Sequence, residues 1–128
     1  MKRSVALQPL SREHHTALTL AKACERAAQS RDEELVSKTC QRVIRAFSDE
    51  LEPHFQNEEQ SLLPLLLQSP ENKSLEWHTL DDHQRLRALL AGLQQNDIES
   101  LDDFGKLLTA HVRFEEQELF PALEKLLP

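Results

Sequence analysis

His54 and Glu58 stand four residues apart, and so do His111 and Glu115. On an α-helix residues i and i+4 share a face, so each pair offers a ring nitrogen and a carboxylate oxygen to one point. Neutral imidazole and carboxylate are ordinary ligands for divalent iron, manganese and zinc. The two pairs sit in matching frames, HFQNEEQSLLP at 54–64 and HVRFEEQELFP at 111–121. One isolated H-x-x-x-E is usually an exposed polar pair. Two of them, each on an apolar stripe and each followed by a Leu-x-Pro tail, read as ligand sets. His83, in DDHQRL at 81–86, and a histidine of EHH at 13–15 are candidates to complete the set.

Such residues need long helices to hold them, and the breakers mark out four. The first is expected from about Ser11, as N-cap, to Gln29. Ser30-Arg-Asp-Glu33 has the form of a capping box and should open the second, which reaches about Gln68 before Ser69-Pro70. The third spans roughly Ser74 to Gln95 and ends at Asn96-Asp97. Ser100-Leu-Asp-Asp103 is expected to cap the fourth, which continues to about Leu126. Connections this short favour antiparallel neighbours, so the expected fold is all-α, an up-down-up-down four-helix bundle forming one domain over residues 1–128.

Each stretch carries one apolar stripe at three- and four-residue steps. The stripes are Leu7, Leu10, His14, Ala17, Ala21, Cys24 and Ala28; Val36, Cys40, Val43, Phe47, Leu51, His54, Glu58, Leu62 and Leu65; Leu80, His83, Leu86, Leu90 and Leu93; and Leu101, Phe104, Leu108, His111, Glu115, Leu119 and Ala122. A histidine interrupts every stripe, and a glutamate interrupts two. A buried carboxylate is costly without a positive or strongly hydrogen-bonding partner, and no Lys or Arg shares the stripe beside Glu58 or Glu115. Metal would compensate both, and two glutamates from different helices can each bridge two ions. The halves also echo one another: an acid–His helix is followed by an H-x-x-x-E-E helix, twice.

Over essentially its whole length the sequence resembles the hemerythrin-like, or HHE cation-binding, domains. EHH, HFQNEEQSLLP, DDHQRL and HVRFEEQELFP carry the resemblance in that order. It implies a non-haem centre of two Fe ions inside the bundle, oxo- or hydroxo-bridged. His54, His83, His111 and a helix-one histidine become terminal ligands, and Glu58 and Glu115 bridging carboxylates. The oxygen carriers of that group have a second histidine one turn away on helix three and a more widely spaced carboxylate on helix four. Here Thr79 and Arg87 flank His83 by one turn. Fewer ligands imply open coordination positions, which favours binding or reaction with a small oxidant (O2, peroxide or NO) over reversible oxygen carriage. The alternative is a non-enzymatic iron store, donor or sensor.

On helix one, His14 shares its stripe with Leu10, Ala17 and Ala21, whereas His15 points toward Lys22; His14 is preferred and His15 is the alternative. His78, about 140° around the helix from His83, is expected at the surface. Glu59 and Glu116 are expected to be solvated, with orientation of a ligand from outside as the other reading. Trp77 and Phe47, Phe55, Phe104, Phe114 and Phe120 are expected to fill the bundle. Pro53 should kink or loosen the turn before His54.

Composition agrees with a helical, non-nucleic-acid class. There are 2 Gly and no Tyr, and the net charge is −7. That acidity argues against nucleic acid or an anionic membrane as partner. Cys24 and Cys40 make no C-x-x-C spacing, no run of 18 apolar residues occurs, and MKRSVALQPLSREHH does not read as a signal peptide, so a cytoplasmic protein is expected. No Gly-rich phosphate loop or nucleophile elbow is present, so any turnover would depend on the metals.

Overall fold

The computed structural model describes residues 3–127, and every regular element among them is helical. They form four rods. The first is α1 (Gln8–Ser30). The second joins α2 (Glu33–Ala46), α3 (Glu52–Asn57) and α4 (Leu63–Leu66) through π-helical turns at Phe47–Leu51 and Glu58–Leu62. After a 3₁₀ turn at Pro70–Asn72 comes the third, α5 (Lys73–Gln94). The fourth joins α6 (Ile98–Phe114) to α7 (Phe120–Glu124) through a π-turn at Glu115–Leu119. No described helix is long and apolar enough to cross a membrane.

The π-turns follow from proline. Glu52, Leu63 and Phe120 each donate their N–H to the carbonyl five residues back, at Phe47, Glu58 and Glu115. The next residue is Pro53, Pro64 or Pro121. A proline cannot donate to the carbonyl four residues back and its ring collides with it, so an extra residue in the preceding turn lets the rod continue. The loosened turn expected before His54 is the first of these, and the repeated Leu-x-Pro tail marks the other two.

Three caps differ from expectation. α1 starts at Gln8 with Pro9 in its first turn, and Ser11 instead donates its Oγ to Glu116 Oε2. Asp32, not Ser30, caps α2 by accepting from the N–H groups of Glu34 and Leu35, while Ser30 Oγ donates to the Ala27 carbonyl. Asp97, not Ser100, caps α6, and Ser100 donates to it through both N–H and Oγ. In both places an ionised carboxylate nearer the turn accepts more strongly than a hydroxyl. Arg31 and Asn96 close the two tight turns in the left-handed region, at φ 55° and 57°.

Packing buries two apolar blocks. One contains Ala21, Cys24, Val43, Phe47, Phe55, Leu86, Leu93, Phe104 and Leu108; the other contains Leu7, Leu10, Leu63, Leu66, Phe114, Leu119, Phe120 and Leu123. All five phenylalanines are buried as expected, but Trp77 is not: it is 66 % exposed. It lies six residues before His83, about 120° away from the inward face. α1 and α6 approach closely at Gly105, where a Cβ would stand 2.7 Å from the Ala21 carbonyl oxygen and 3.0 Å from Cys24 Cβ. Burial pushes the Cys24 thiol up to about 12, so it behaves as a core residue rather than a reactive thiolate.

Candidate metal centre

Between the two apolar blocks, six polar side chains from all four rods converge. α1 carries His14, α3 His54, α5 His83 and α6 His111, while Glu58 and Glu115 are the first residues of their π-turns. All six are buried, and His83, Glu58 and Glu115 have no exposed surface.

Each glutamate divides its two oxygens between two groups of histidines. Glu115 Oε1 lies 2.8 Å from His14 Nε2 and 3.7 Å from His54 Nε2, while its Oε2 lies 3.0 Å from His111 Nε2 and 3.9 Å from His83 Nε2. Glu58 Oε2 is 3.1 Å from His54 Nε2, and its Oε1 is 3.0 Å from His83 Nε2. Two tetrads result, His14–His54–Glu58–Glu115 and Glu58–His83–His111–Glu115, each with its donor atoms within 4.8 Å of one another. The glutamates are common to both.

The outward nitrogen of every histidine is held by a carboxylate. Nδ1 of His54 donates to Glu13 (2.9 Å), of His83 to Glu59 (2.7 Å), of His111 to Asp82 (2.9 Å) and of His14 to Glu116 (2.6 Å). These acids form a ring around the bundle, in which each rod supplies the acid for the next rod's histidine and the fourth rod returns to the first. A carboxylate can only accept, so Nδ1 carries the proton and a neutral ring turns its Nε2 lone pair inward. Acids in this position orient metal-bound imidazoles and raise their basicity.

Sequence reasoning missed this ring. Glu13 and Asp82 entered only as the acids of the acid–His repeat, with no role of their own, and Glu59 and Glu116 were expected to be solvated; all four instead accept from histidine Nδ1 atoms, the contact that the other reading of Glu59 and Glu116 requires. A signal was present, since each acid is the immediate chain neighbour of a candidate ligand. Adjacent residues lie about 100° apart on a helix, so an acid beside an inward residue faces the seam with the neighbouring rod.

The electrostatics are those of acids and imidazoles forced together out of water. Burial pulls the His54 imidazolium down, but Glu115 and Glu58 outweigh it and lift the group to about 11. His111 is likewise pushed down by burial and lifted, by Glu115 and Asp82, to about 10. His83 moves up for the same reason, through Glu115 and Glu58. Burial would raise Glu115, yet His111, His14 and His54 hold it well below the usual carboxylate range.

Proton sharing does not satisfy the whole cluster. Glu58 Oε1, Glu115 Oε2, His83 Nε2 and His111 Nε2 are buried and lack a hydrogen-bond partner, although their separations are as short as 3.0 Å. These four atoms make up the second tetrad. One ligand atom from each of these residues lies within 4.8 Å of the others. Leaving one such atom unpaired costs about 1–3 kcal/mol, and one cation would serve all four. The donor set therefore fits a metal.

The remaining expected residues lie elsewhere. His15 is exposed, so the helix-one histidine in the cluster is His14. Thr79 is buried but donates to the Leu75 carbonyl, and Arg87 turns outward to Glu52 and Glu59. His78 is at the surface as expected, stacked on Phe114 with its Nε2 3.3 Å from Asp82 Oδ2. A cavity of about 80 Å³ borders the first tetrad, between Ala17, Leu20, Leu51, Leu108 and Val112, with Glu13 and Glu50 on its polar side.

The model of the family described as hemerythrin HHE cation binding domain matches residues 5–123. No curated protein and no solved structure gives a significant match.

Proposed function

Because the chain belongs to the hemerythrin HHE cation-binding domain family, we propose that it is a non-haem di-iron protein which binds or reacts with a small oxidant such as O2, peroxide or NO. The carrying observation is the division of oxygens: Glu58 and Glu115 each turn one oxygen to the His14/His54 side and the other to the His83/His111 side. Two carboxylates so disposed suit two adjacent ions bridged by both. Antiparallel, up-down-up-down rods in one domain are part of this reading, supported by His14 lying level with Glu115 while Cys24 lies level with Gly105.

In the proposed centre His14 and His54 hold one ion, His83 and His111 the other, and Glu58 and Glu115 both. A loaded pair of irons would supply two neighbouring one-electron centres for a bound small molecule. Around them the chain's own residues do three things. Glu13, Glu59, Asp82 and Glu116 hold the Nδ1 protons and so fix the ring orientations. Phe55 stacks on His83 and Phe120 on His14, which excludes water from those faces. The apolar cavity beside His14 and His54 has room for a diatomic molecule or a few waters, and two histidines per ion leave coordination positions for one. Two buried, unbridged cysteines suit a reducing, cytoplasmic setting.

The test is metal analysis of anaerobically purified protein, followed by its near-ultraviolet spectrum as air or NO is admitted. Two irons per chain and a spectral change on exposure are expected, and both should vanish in a Glu58→Ala/Glu115→Ala double variant. Zinc alone, or iron that responds to none of the oxidants, would overturn the proposal.

A further inference from the structure

We infer that Arg87 is a positioning residue for the second ion: it clamps Glu59 and, through Glu59, fixes the imidazole of His83. This rests on the metal-centre reading above.

The four acids of the ring are not equally secured. Glu13, which holds His54, has a side chain 55 % exposed. Asp82, which holds His111, is backed by His78, and Glu116, which holds His14, by Ser11 Oγ on the same oxygen and by the Arg3 guanidinium on the other. Glu59 is backed by a guanidinium: Arg87 Nη1 stands 3.0 Å from Glu59 Oε2, the same oxygen that accepts from His83 Nδ1. Arg87 is itself immobilised, because its Nε and Nη2 donate to both oxygens of Glu52 at 2.7 to 3.1 Å. A forked donor held bidentately by one carboxylate has little freedom left when it meets a second.

A second contact leads to the same ring. The Arg87 guanidinium carbon lies 5.8 Å from the Phe55 ring centre, and Phe55 stacks on His83 with centroids 4.0 Å apart and planes 14° apart. His83 is thus gripped at its Nδ1 edge and on one face, and both grips lead back to Arg87. Without the cation, Glu59, half-buried beside Glu52, would be free to turn toward water and release that edge. The arginine stands one turn after His83, at a position that offers no ligand atom of its own to the centre.

Two readouts test this, one of them without metal. In metal-free protein with labelled histidines, the Nδ1 proton of His83 should exchange slowly with solvent in the native chain and at least about tenfold faster in Arg87→Gln. The Nδ1 protons of His54 and His111 should keep their rates, and Arg87→Lys should restore part of the protection. In titrations with Co2+, Arg87→Gln should weaken one of the two binding steps by roughly 10–100-fold, as loss of an orienting partner does elsewhere, and spare the other. Unchanged His83 exchange in Arg87→Gln overturns the inference. So does uniform loosening of all the histidines, which would make Arg87 a general structural brace. A chain that binds no metal at all refutes the metal-centre reading instead, while the exchange experiment still decides whether Arg87 orients His83.

Discussion

His54 sits against the carboxylates of Glu13, Glu58 and Glu115, and His111 against those of Asp82 and Glu115, and that proximity gives the cluster a pH signature. In metal-free protein their imidazolium forms persist to about 11 and about 10, against an ordinary value of 6.5. A folded value above the unfolded one adds stability that is complete below about pH 6.5 and lost as pH climbs through 10 to 11. Glu115 acts in the opposite sense: its lowered value adds stability above the ordinary 4.5, lost only as acid takes pH down through the folded value. The urea midpoint of metal-free protein should therefore fall continuously from about pH 6.5 to 11, and the fall should be much shallower in a His54→Asn/His111→Asn variant. A native profile flat over that range would mean that the imidazoles are neutral in the metal-free chain. The inner residues were legible because helical spacing alone puts His54 with Glu58 and His111 with Glu115 on one face. The outer acids were not, since Glu13 meets His54 across 41 residues and Asp82 meets His111 across 29, pairings that depend on which rods are neighbours.

At the scale of elements, Gly and Pro have separate duties. Proline is accommodated by wide turns, and two of these begin at Glu58 and Glu115 themselves, so the residues proposed to bridge the ions sit where the helical ladder is already loosened. Glycine sets a distance. With only 2.7 Å between a Cβ at Gly105 and the Ala21 carbonyl oxygen, a backbone atom that cannot swing aside, α1 and α6 must separate if any side chain is added. Gly105→Ala gains up to about 1 kcal/mol in helix propensity but incurs about 1–3 kcal/mol of overpacking, so net destabilisation is expected. Because the same two rods carry His14 and Glu115, metal affinity should fall with it; calorimetry and metal titration check both, and a more stable variant would show that the helices separate freely. Four rods, their turns and their apolar stripes were readable from periodicity and breakers. The caps were misread at Ser30 and Ser100 because spacing cannot say which of two nearby oxygens, hydroxyl or carboxylate, takes the free N–H groups.

For the molecule as a whole, the arrangement is one of compensation. A polar cluster of four imidazoles and two carboxylates lies between two apolar blocks, and nothing in a metal-free state pairs all its atoms. An unfolded chain has no preformed site, so metal affinity becomes stability of the folded state. At a free-ion level of 100 times Kd, one site adds about 2.7 kcal/mol. In a domain of this size each kcal/mol shifts Tm by roughly 3 to 5 °C, so loading even one site should raise Tm by on the order of 10 °C relative to protein held in chelator. Glu58→Leu separates this from a bundle that merely houses buried ion pairs. Removing a carboxylate common to both tetrads should abolish most of the metal-dependent shift, and the metal-free variant should itself lose about 3–5 kcal/mol, because His54 and His83 lose their nearest buried carboxylate. If Tm is the same with and without metal, the histidines and glutamates serve only one another. The bundle would then stand as a helical scaffold, and the division of oxygens at Glu58 and Glu115 would need another explanation.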